Sequence, residues 1–298
     1  MSDTFRFTTR RSFLIGTAAL TLGLGKPVSA KQDRTDAPPA RLAELERKMG
    51  GRLGLSALNT ANGQRIDFRA DERFPVCSTF KLILAGAILK HSVQDAALLQ
   101  KIIHYSSGDL VAWSPLTEKH LADGMSIAAL CAAALQYSDN TAANLLMKEL
   151  GGPEAVTAYA HSIGNKHFRL DRWETELNSA IPGDPRDTAT PASMADSLRM
   201  LTLGDALPSA QRTQLNEWML GNTTGAKRIQ AGVPADWKVG DKTGTGDYGS
   251  ANDIGILWPP GRKPIVLAVY HTQDAAKATA NNEIIAAAAR IVMEAFHG

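Results

Sequence analysis

The sequence predicts an α+β fold, an α/β sandwich whose antiparallel sheet is built from both ends of the chain, with flanking helices and an all-helical domain inserted between the ends. Three observations carry that expectation. Asn62-Gly63, the strongest short-range hairpin signal in the chain, separates two apolar runs near the start. Three strand-like runs, Trp237 to Thr243, Asn252 to Trp258 and Ile265 to His271, lie near the end. Between the two, from about Ser78 to Gly221, the apolar spacing is mostly helical.

In chain order, Thr8-Thr9-Arg10-Arg11-Ser12-Phe13-Leu14 precedes an apolar stretch from Ile15 to Leu24 and then the small residues Val28-Ser29-Ala30. That succession of charge, apolar run and cleavage site reads as an export signal over residues 1–30, and the paired arginines resemble the twin-arginine type. About ten apolar residues are too few for a membrane core of ~30 Å, which takes ~20 residues, so a membrane anchor is disfavoured. Without residues 1–30 the chain loses Arg6, Arg10, Arg11, Lys26 and Asp3, and its formal charge goes from +2 to −1. Lys31 to Pro39 reads as a linker, and Leu42, Leu45 and Met49 give a helix stopped by Gly50-Gly51. Leu53 to Leu58 and Gln64 to Arg69 form the hairpin, Pro259-Pro260-Gly261 divides the last two strands, and Ala275 to Phe296 closes the chain as a helix. The expected division is residues 31–76 with 222–298 as the sheet domain and residues 77–221 as the helical one. A cleft between two such domains is a favoured ligand site.

At 298 residues and 44% hydrophobic, the chain is long enough to bury one large core or two smaller ones. It shows no basic stripe, so nucleic acid is not an expected partner. Its seven histidines (His91, His104, His120, His161, His167, His271, His297) lack any H-x-H or H-E-x-x-H spacing, which argues against a zinc hydrolase. No metal or cofactor is expected.

Three short segments carry the chemistry. Ser78-Thr79-Phe80-Lys81 opens an apolar helical run and puts a hydroxyl and an amine on one face, where the free N–H groups of a first turn favour negative charge on oxygen. Ser138-Asp139-Asn140 follows the Ala-rich run Ile127 to Tyr137 and reads as a turn between helices. Lys242-Thr243-Gly244 ends a strand, with a glycine where a ligand or another backbone approaches closely. Each alone is equally a structural device: a helix N-cap with a solvated lysine, a second N-cap, a strand end.

Together, in this order and at separations of 60 and 104 residues, they resemble the serine β-lactamase and penicillin-binding protein superfamily. A fourth segment, Arg172-Trp173-Glu174-Thr175-Glu176-Leu177-Asn178, is similar to the omega loop of the class A β-lactamases, here about residues 170–187. The resemblance runs from about residue 40 to the C-terminus.

What the resemblance implies is specific. Ser78 is the expected nucleophile, with Lys81, Ser138 and Glu174 as proton carriers and the backbone N–H groups of Ser78 and Thr245 as the oxyanion hole. Whether Lys81 or Glu174 takes the proton from Ser78 stays open. Glu174 and Asn178 would hold the hydrolytic water, and Asn140 the acylamino side chain of the substrate. Lys242, Thr243, Gly244, Thr245 and the guanidinium of Arg228 would take the substrate carboxylate, a surface arginine being the alternative at Arg228, and Trp113 would stand at the cleft mouth. Arg172 and Asp187 resemble the ion pair that closes the loop. Some relatives bridge the position of Cys131 to that of Ala85, or Cys77 to that of Gly246, so no disulfide is expected here. The implied activity is hydrolysis of penicillins and cephalosporins by a periplasmic monomer that also meets mechanism-based inhibitors, with no membrane association after processing. A penicillin-binding carboxypeptidase or transpeptidase, or a β-lactam sensor, shares the first three motifs but needs no counterpart of Glu174.

Overall fold

The computed structural model describes residues 37–297, and the export signal at residues 1–30 and the linker up to residue 36 lie outside the described residues. Helix α1 (Pro38–Met49) takes in the last two residues of the expected linker, because Pro38 and Pro39 suit the first helical positions, where the missing N–H is no loss. Gly50, at φ +76°, ends it.

Five strands form one antiparallel sheet: β1 (Arg52–Asn59), β2 (Arg65–Phe68), β7 (Lys238–Thr245), β8 (Ala251–Trp258) and β9 (Ile265–Thr272), in the order β2-β1-β9-β8-β7. The first strand therefore pairs with the last, Arg52 opposite Thr272 and Asn59 opposite Ile265, which is how both chain ends build one sheet. All eight residues of β9 are buried, since both faces are covered. Its alternation divides them: Val266, Ala268 and Tyr270 face the helical layer, whereas Ile265, Leu267 and Val269 face α1 and the C-terminal α8 (Asn282–His297). Each fully buried large aliphatic is worth roughly 1.5–3 kcal/mol.

The helical layer comprises α2 (Phe80–His91), α3 (Ile127–Gln136), α4 (Asn140–Leu150), α5 (Pro153–Ser162), α6 (Pro191–Thr202) and α7 (Ser209–Leu220). Three two-residue strands, β4 (Ile102–Ile103), β5 (Met125–Ser126) and β6 (Thr188–Ala189), interrupt the stretch that read as helix, β4 pairing with β5 and β6 with β3 (Phe74–Pro75) just ahead of it, and pairings this short leave no periodic signal.

Two boundaries differ from expectation. Asn59 continues the first strand and its N–H bonds to Gln64 O, so four residues rather than the expected five form the hairpin loop, with Gly63 at φ +77°. The last helix starts at Asn282 and not near Ala275, because the backbone of 275–281 bonds elsewhere: Tyr248 N–H to Ala276 O, and the Gln273 amide to Thr279 O. The Asn281 side chain then accepts from Glu283 N–H and Ile284 N–H and starts the helix.

Candidate active site

Ser78 sits in a single 3₁₀ turn, Cys77–Thr79, immediately before α2 rather than inside it. Cys77 adopts φ +42°, uncommon for a side chain, so the turn is held by its surroundings. The surroundings are β7. A Cβ on Gly244 would fall 3.0 Å from Val76 O and 3.2 Å from Ser78 N, so the glycine is required by the approach of strand to turn as well as by access for a ligand.

One turn on, Lys81 is fully buried. Its Nζ lies 3.0 Å from Ser78 Oγ, 2.9 Å from Ser138 O, 2.6 Å from Asn140 Oδ1 and 3.0 Å from Glu174 Oε1, with Ser138 Oγ at 3.5 Å. Burial pushes the ammonium pKa down, while the Glu174 carboxylate opposes that shift. A neutral amine there can accept a proton from Ser78, whose hydroxyl also reaches Glu174 Oε1 at 3.3 Å. Lys242 reaches the same centre from β7, donating to Ser138 Oγ at 3.1 Å and to Thr243 O at 2.7 Å. Its pKa is held well below the ordinary lysine value, first by burial and then by the positive charge of Lys81. Ser138, at φ +58°, thus has both lysines directed at it, and Asp139 beside it is the N-cap of α4, accepting from Ala142 N–H. The cap reading and the chemical reading of this tripeptide belong to different residues.

Glu174 enters from the loop between α5 and α6, following the residues Arg172 and Trp173 and joined to Thr175 by a cis peptide. Asn178 Nδ2 donates to Glu174 Oε2 at 2.5 Å, leaving Asn178 Oδ1 buried without a protein partner beside the carboxylate. A carboxylate and an amide carbonyl side by side can hold a water molecule and take its proton. Asn144, which sequence reasoning missed, grips the Glu174 backbone from α4: its Oδ1 accepts from Glu174 N–H and its Nδ2 donates to Glu174 O, both at 2.9 Å. Its spacing of four from Asn140 on a helix was the available signal.

The base of the loop is closed by Arg172 and Asp187, with Nε to Oδ2 at 2.6 Å. Cys77 and Cys131 are buried free thiols, and burial pushes the Cys77 thiol up to about 12.

A cavity of about 370 Å³ is lined by Ser78, Trp113, Ser138, Asn140, Asn178, Thr224, Arg228, Thr243, Gly244 and Thr245. The structure thereby brings together every expected site residue, with Lys81, Glu174 and Lys242 in the wall behind. Two details depart from expectation. Arg228 is buried, which removes the surface reading, but it offers no open fork: Nη1 donates to Gly244 O and Asn252 O, Nε to Asn282 Oδ1, and Nη2 to Thr245 Oγ1. One N–H on Nη2 is left for a ligand. Asn140 likewise spends its carbonyl on Lys81 and one amide N–H on Ala112 O, keeping a single N–H for the cleft. Trp113 is 65% exposed at the rim, with its indole N–H donating to Tyr137 O. Thr224, also missed, bonds Thr243 Oγ1 at 2.5 Å, and no motif points to it.

Comparison with known proteins extends this geometry. The family model described as "Beta-lactamase enzyme family" matches residues 38–296. The chain is 55% identical over 260 residues to beta-lactamase OXY-2 of Klebsiella oxytoca, covering 87% of this chain and 90% of that one. It is 56% identical over 253 residues to the carbapenem-hydrolyzing beta-lactamase KPC of Klebsiella oxytoca, covering 85% and 86%. Among solved structures, a mutant of the class A beta-lactamase of the last common ancestor of Gram-negative bacteria superposes with a TM-score of 0.85 at 57% identity, over 88% of this chain and 99% of the other.

Proposed function

This chain belongs to the β-lactamase enzyme family and, within it, to class A, and from that premise we propose that it opens the lactam ring through an acyl-enzyme on Ser78. It is a hydrolase of β-lactams, an activity that confers resistance to these antibiotics. The observation that carries the assignment of roles is the position of the Ser78 hydroxyl between Lys81 Nζ at 3.0 Å and Glu174 Oε1 at 3.3 Å.

In the proposed mechanism Ser78 Oγ attacks the lactam carbonyl carbon, and its proton leaves by one of those two routes. The negative charge that develops on the carbonyl oxygen is met by the N–H groups of Ser78 and Thr245; one such donor is worth about 10²–10³ in rate. Ser138 gives its proton to the lactam nitrogen as the C–N bond breaks and regains one from Lys81, which its Oγ faces at 3.5 Å; where Glu174 took the Ser78 proton, it passes that proton on to Lys81 at 3.0 Å and is again a carboxylate. Lys242, Thr243, Thr245 and the free N–H of Arg228 take the substrate carboxylate, and the remaining N–H of Asn140 meets its acylamino group. Glu174 then removes a proton from a water shared with Asn178 Oδ1, hydroxide attacks the acyl carbonyl, and Ser78 departs with its proton restored.

The proposal extends to penicillins and early cephalosporins as substrates, to mechanism-based inhibitors that acylate the same serine, and to a periplasmic monomer. No helix among the described residues is long and apolar enough to cross a membrane. Glu174→Gln is the test. It keeps the shape but removes the base, so a penicillin should form an adduct on Ser78 that persists for minutes in intact-protein mass spectra, and Ser78→Ala should form none. Wild-type turnover by Glu174→Gln would place the hydrolytic base elsewhere, and a wild-type protein that acylates without turnover would be a sensor.

A further inference from the structure

Asp241 and Asp253 are fully buried and take no part in the steps above. Asp241 precedes Lys242 on β7 and so points to the other face of the strand. Asp253 on β8 stands opposite Thr243, and Asp241 opposite Gly255, which makes the two carboxyls diagonal neighbours on one face, close enough to hydrogen-bond. Each has one oxygen satisfied by a fixed donor: Asp241 Oδ1 by Gln230 Nε2 at 2.8 Å, and Asp253 Oδ2 by Ile229 N–H at 3.0 Å. The other oxygens, Asp241 Oδ2 and Asp253 Oδ1, have no protein donor. Two buried carboxylates that are diagonal neighbours on one face repel, and one proton between them removes the repulsion.

Asn222 and Thr224 stand between this pair and the cleft. Asn222 Oδ1 accepts from Thr224 N–H at 3.0 Å, and a backbone N–H can only donate, so the amide orientation is fixed with Nδ2 on the side of Asp241, where it has no hydrogen-bond partner. The same Oδ1 accepts the Thr224 hydroxyl proton at 2.8 Å. Thr224 Oγ1 is then the acceptor for Thr243 at 2.5 Å. No side chain fits between the strand and Asn222: a Cβ on Gly225 would lie 1.9 Å from Asp241 Oδ2 and 2.9 Å from Asn222 Nδ2.

Resting on the β-lactamase reading, we propose that Asp241 and Asp253 hold one proton between them and act as positioning residues for the carboxylate subsite. Their single negative charge favours the cationic form of Lys242, and Asn222, packed beside Asp241 Oδ2, orders Thr224 and with it the Thr243 hydroxyl. The charges around Lys242 make this necessary. Burial, Lys81 on α2 and Arg228 ahead of β7 all favour its neutral form, and Asp253 and Asp241 act against them. The groups acting on Asp253 are Asp241 and Arg228, and Lys242 acts on Asp241. Burial raises the pKa of both carboxyls, in line with one of them retaining a proton.

The variants Asp253→Asn and Asp241→Asn/Asp253→Asn separate charge from shape. The single variant keeps one negative charge and puts an amide N–H where the shared proton lay, so its pH profile should follow the wild type. The double variant removes the charge, and the alkaline limb of kcat/KM for a penicillin should move down by about one pH unit. The preference for that penicillin over its methyl ester, which lacks the carboxylate, should fall about tenfold at the same time, one pKa unit being tenfold in equilibrium. A double variant with the wild-type limb and preference overturns the proposal, as does a single variant that loses as much as the double. If the double variant does not fold, infrared difference spectra decide: wild type minus Asp253→Asn should contain a protonated-carboxyl band at neutral pH, and its absence rejects the shared proton. Failure of wild-type protein to hydrolyse the penicillin at all would reject the β-lactamase reading instead.

Discussion

Glu174 and Asp187 are buried carboxylates in the same loop, and their donors differ in kind. Asp187 accepts from Asp171 N–H at 2.7 Å, Arg172 N–H at 3.0 Å and Arg172 Nε at 2.6 Å. Backbone amides and a guanidinium do not surrender protons near neutral pH, so this carboxylate is a fixed clamp. Glu174 is instead ringed by the Lys81 ammonium, the Ser78 hydroxyl and the Asn178 amide, two of which exchange protons readily. Burial does not by itself distinguish a working carboxylate from a structural one; the mobility of the protons around it does.

The sharpest way to break that distinction is to remove each carboxylate and follow stability. Asp187→Ala strands a largely buried Arg172 and two backbone N–H groups, and loss of one partner of a buried pair costs ~3–5 kcal/mol. Asp187 also joins the loop to the site, because its carbonyl accepts from Val76 N–H, two residues before Ser78. Unfolding in urea should show the large loss, and turnover of small penicillins should slow as the loop loosens. Glu174→Gln should lose much less stability, since Lys81 keeps Ser138 O and Asn140 Oδ1 as acceptors. Equal losses for the two variants would erase the distinction.

The same contrast explains what could be read from sequence. The four motif segments were legible because their chemistry requires particular residue types at particular places, and the sheet was legible because its strands alternate or run apolar between turn signals. The clamps were less so. Arg172 and Asp187 were visible through the family resemblance, but Asn144 and Thr224 act by side-chain bonds to segments 30 and 19 residues away, and the Asp241–Asp253 pair meets only across two paired strands; beyond the spacing of Asn144 from Asn140, nothing local marks them. Arg228 lines the cleft, yet it offers one N–H rather than a fork because backbone carbonyls of β7 and β8 claim the rest, a competition that becomes visible only when the strands are in position.

A smaller effect sharpens the comparison at Asn144, which fixes the backbone of Glu174 by two reciprocal bonds without touching its carboxylate. Asn144→Ala should leave a buried N–H and C=O poorly satisfied at a cost of about 1–3 kcal/mol. The cost should fall on the hydrolytic half of the reaction, because misplacing a base by about 1 Å loses on the order of 10²-fold. Pre-steady-state kinetics with a penicillin should therefore show acylation little changed and deacylation slowed, with a burst that the wild type lacks. Acylation slowed to the same degree would mean that Glu174 also takes the Ser78 proton, and that its backbone position matters to both halves.

The smallest expected effect comes from a buried titratable group outside the cleft, His271 on β9, which tests whether burial without mobile protons leaves only a stability signature. Its Nε2 donates to Gly50 O at 2.9 Å, and Nδ1 is buried without a protein partner. Burial depresses the imidazole pKa below its ordinary value. The unfolded chain, with an imidazole near about 6.5, then binds a proton that the folded chain resists. Stability from this group is accordingly complete above about pH 6.5 and is lost as pH falls through the lower folded value. The wild-type Tm should drop more steeply below about pH 6.5 than that of His271→Gln, which keeps a donor for Gly50 O but cannot titrate. Turnover at neutral pH should be the same in both proteins. Identical Tm slopes would remove His271 from the acid response, and a change in turnover would show that this end of the sheet is coupled to the cleft after all.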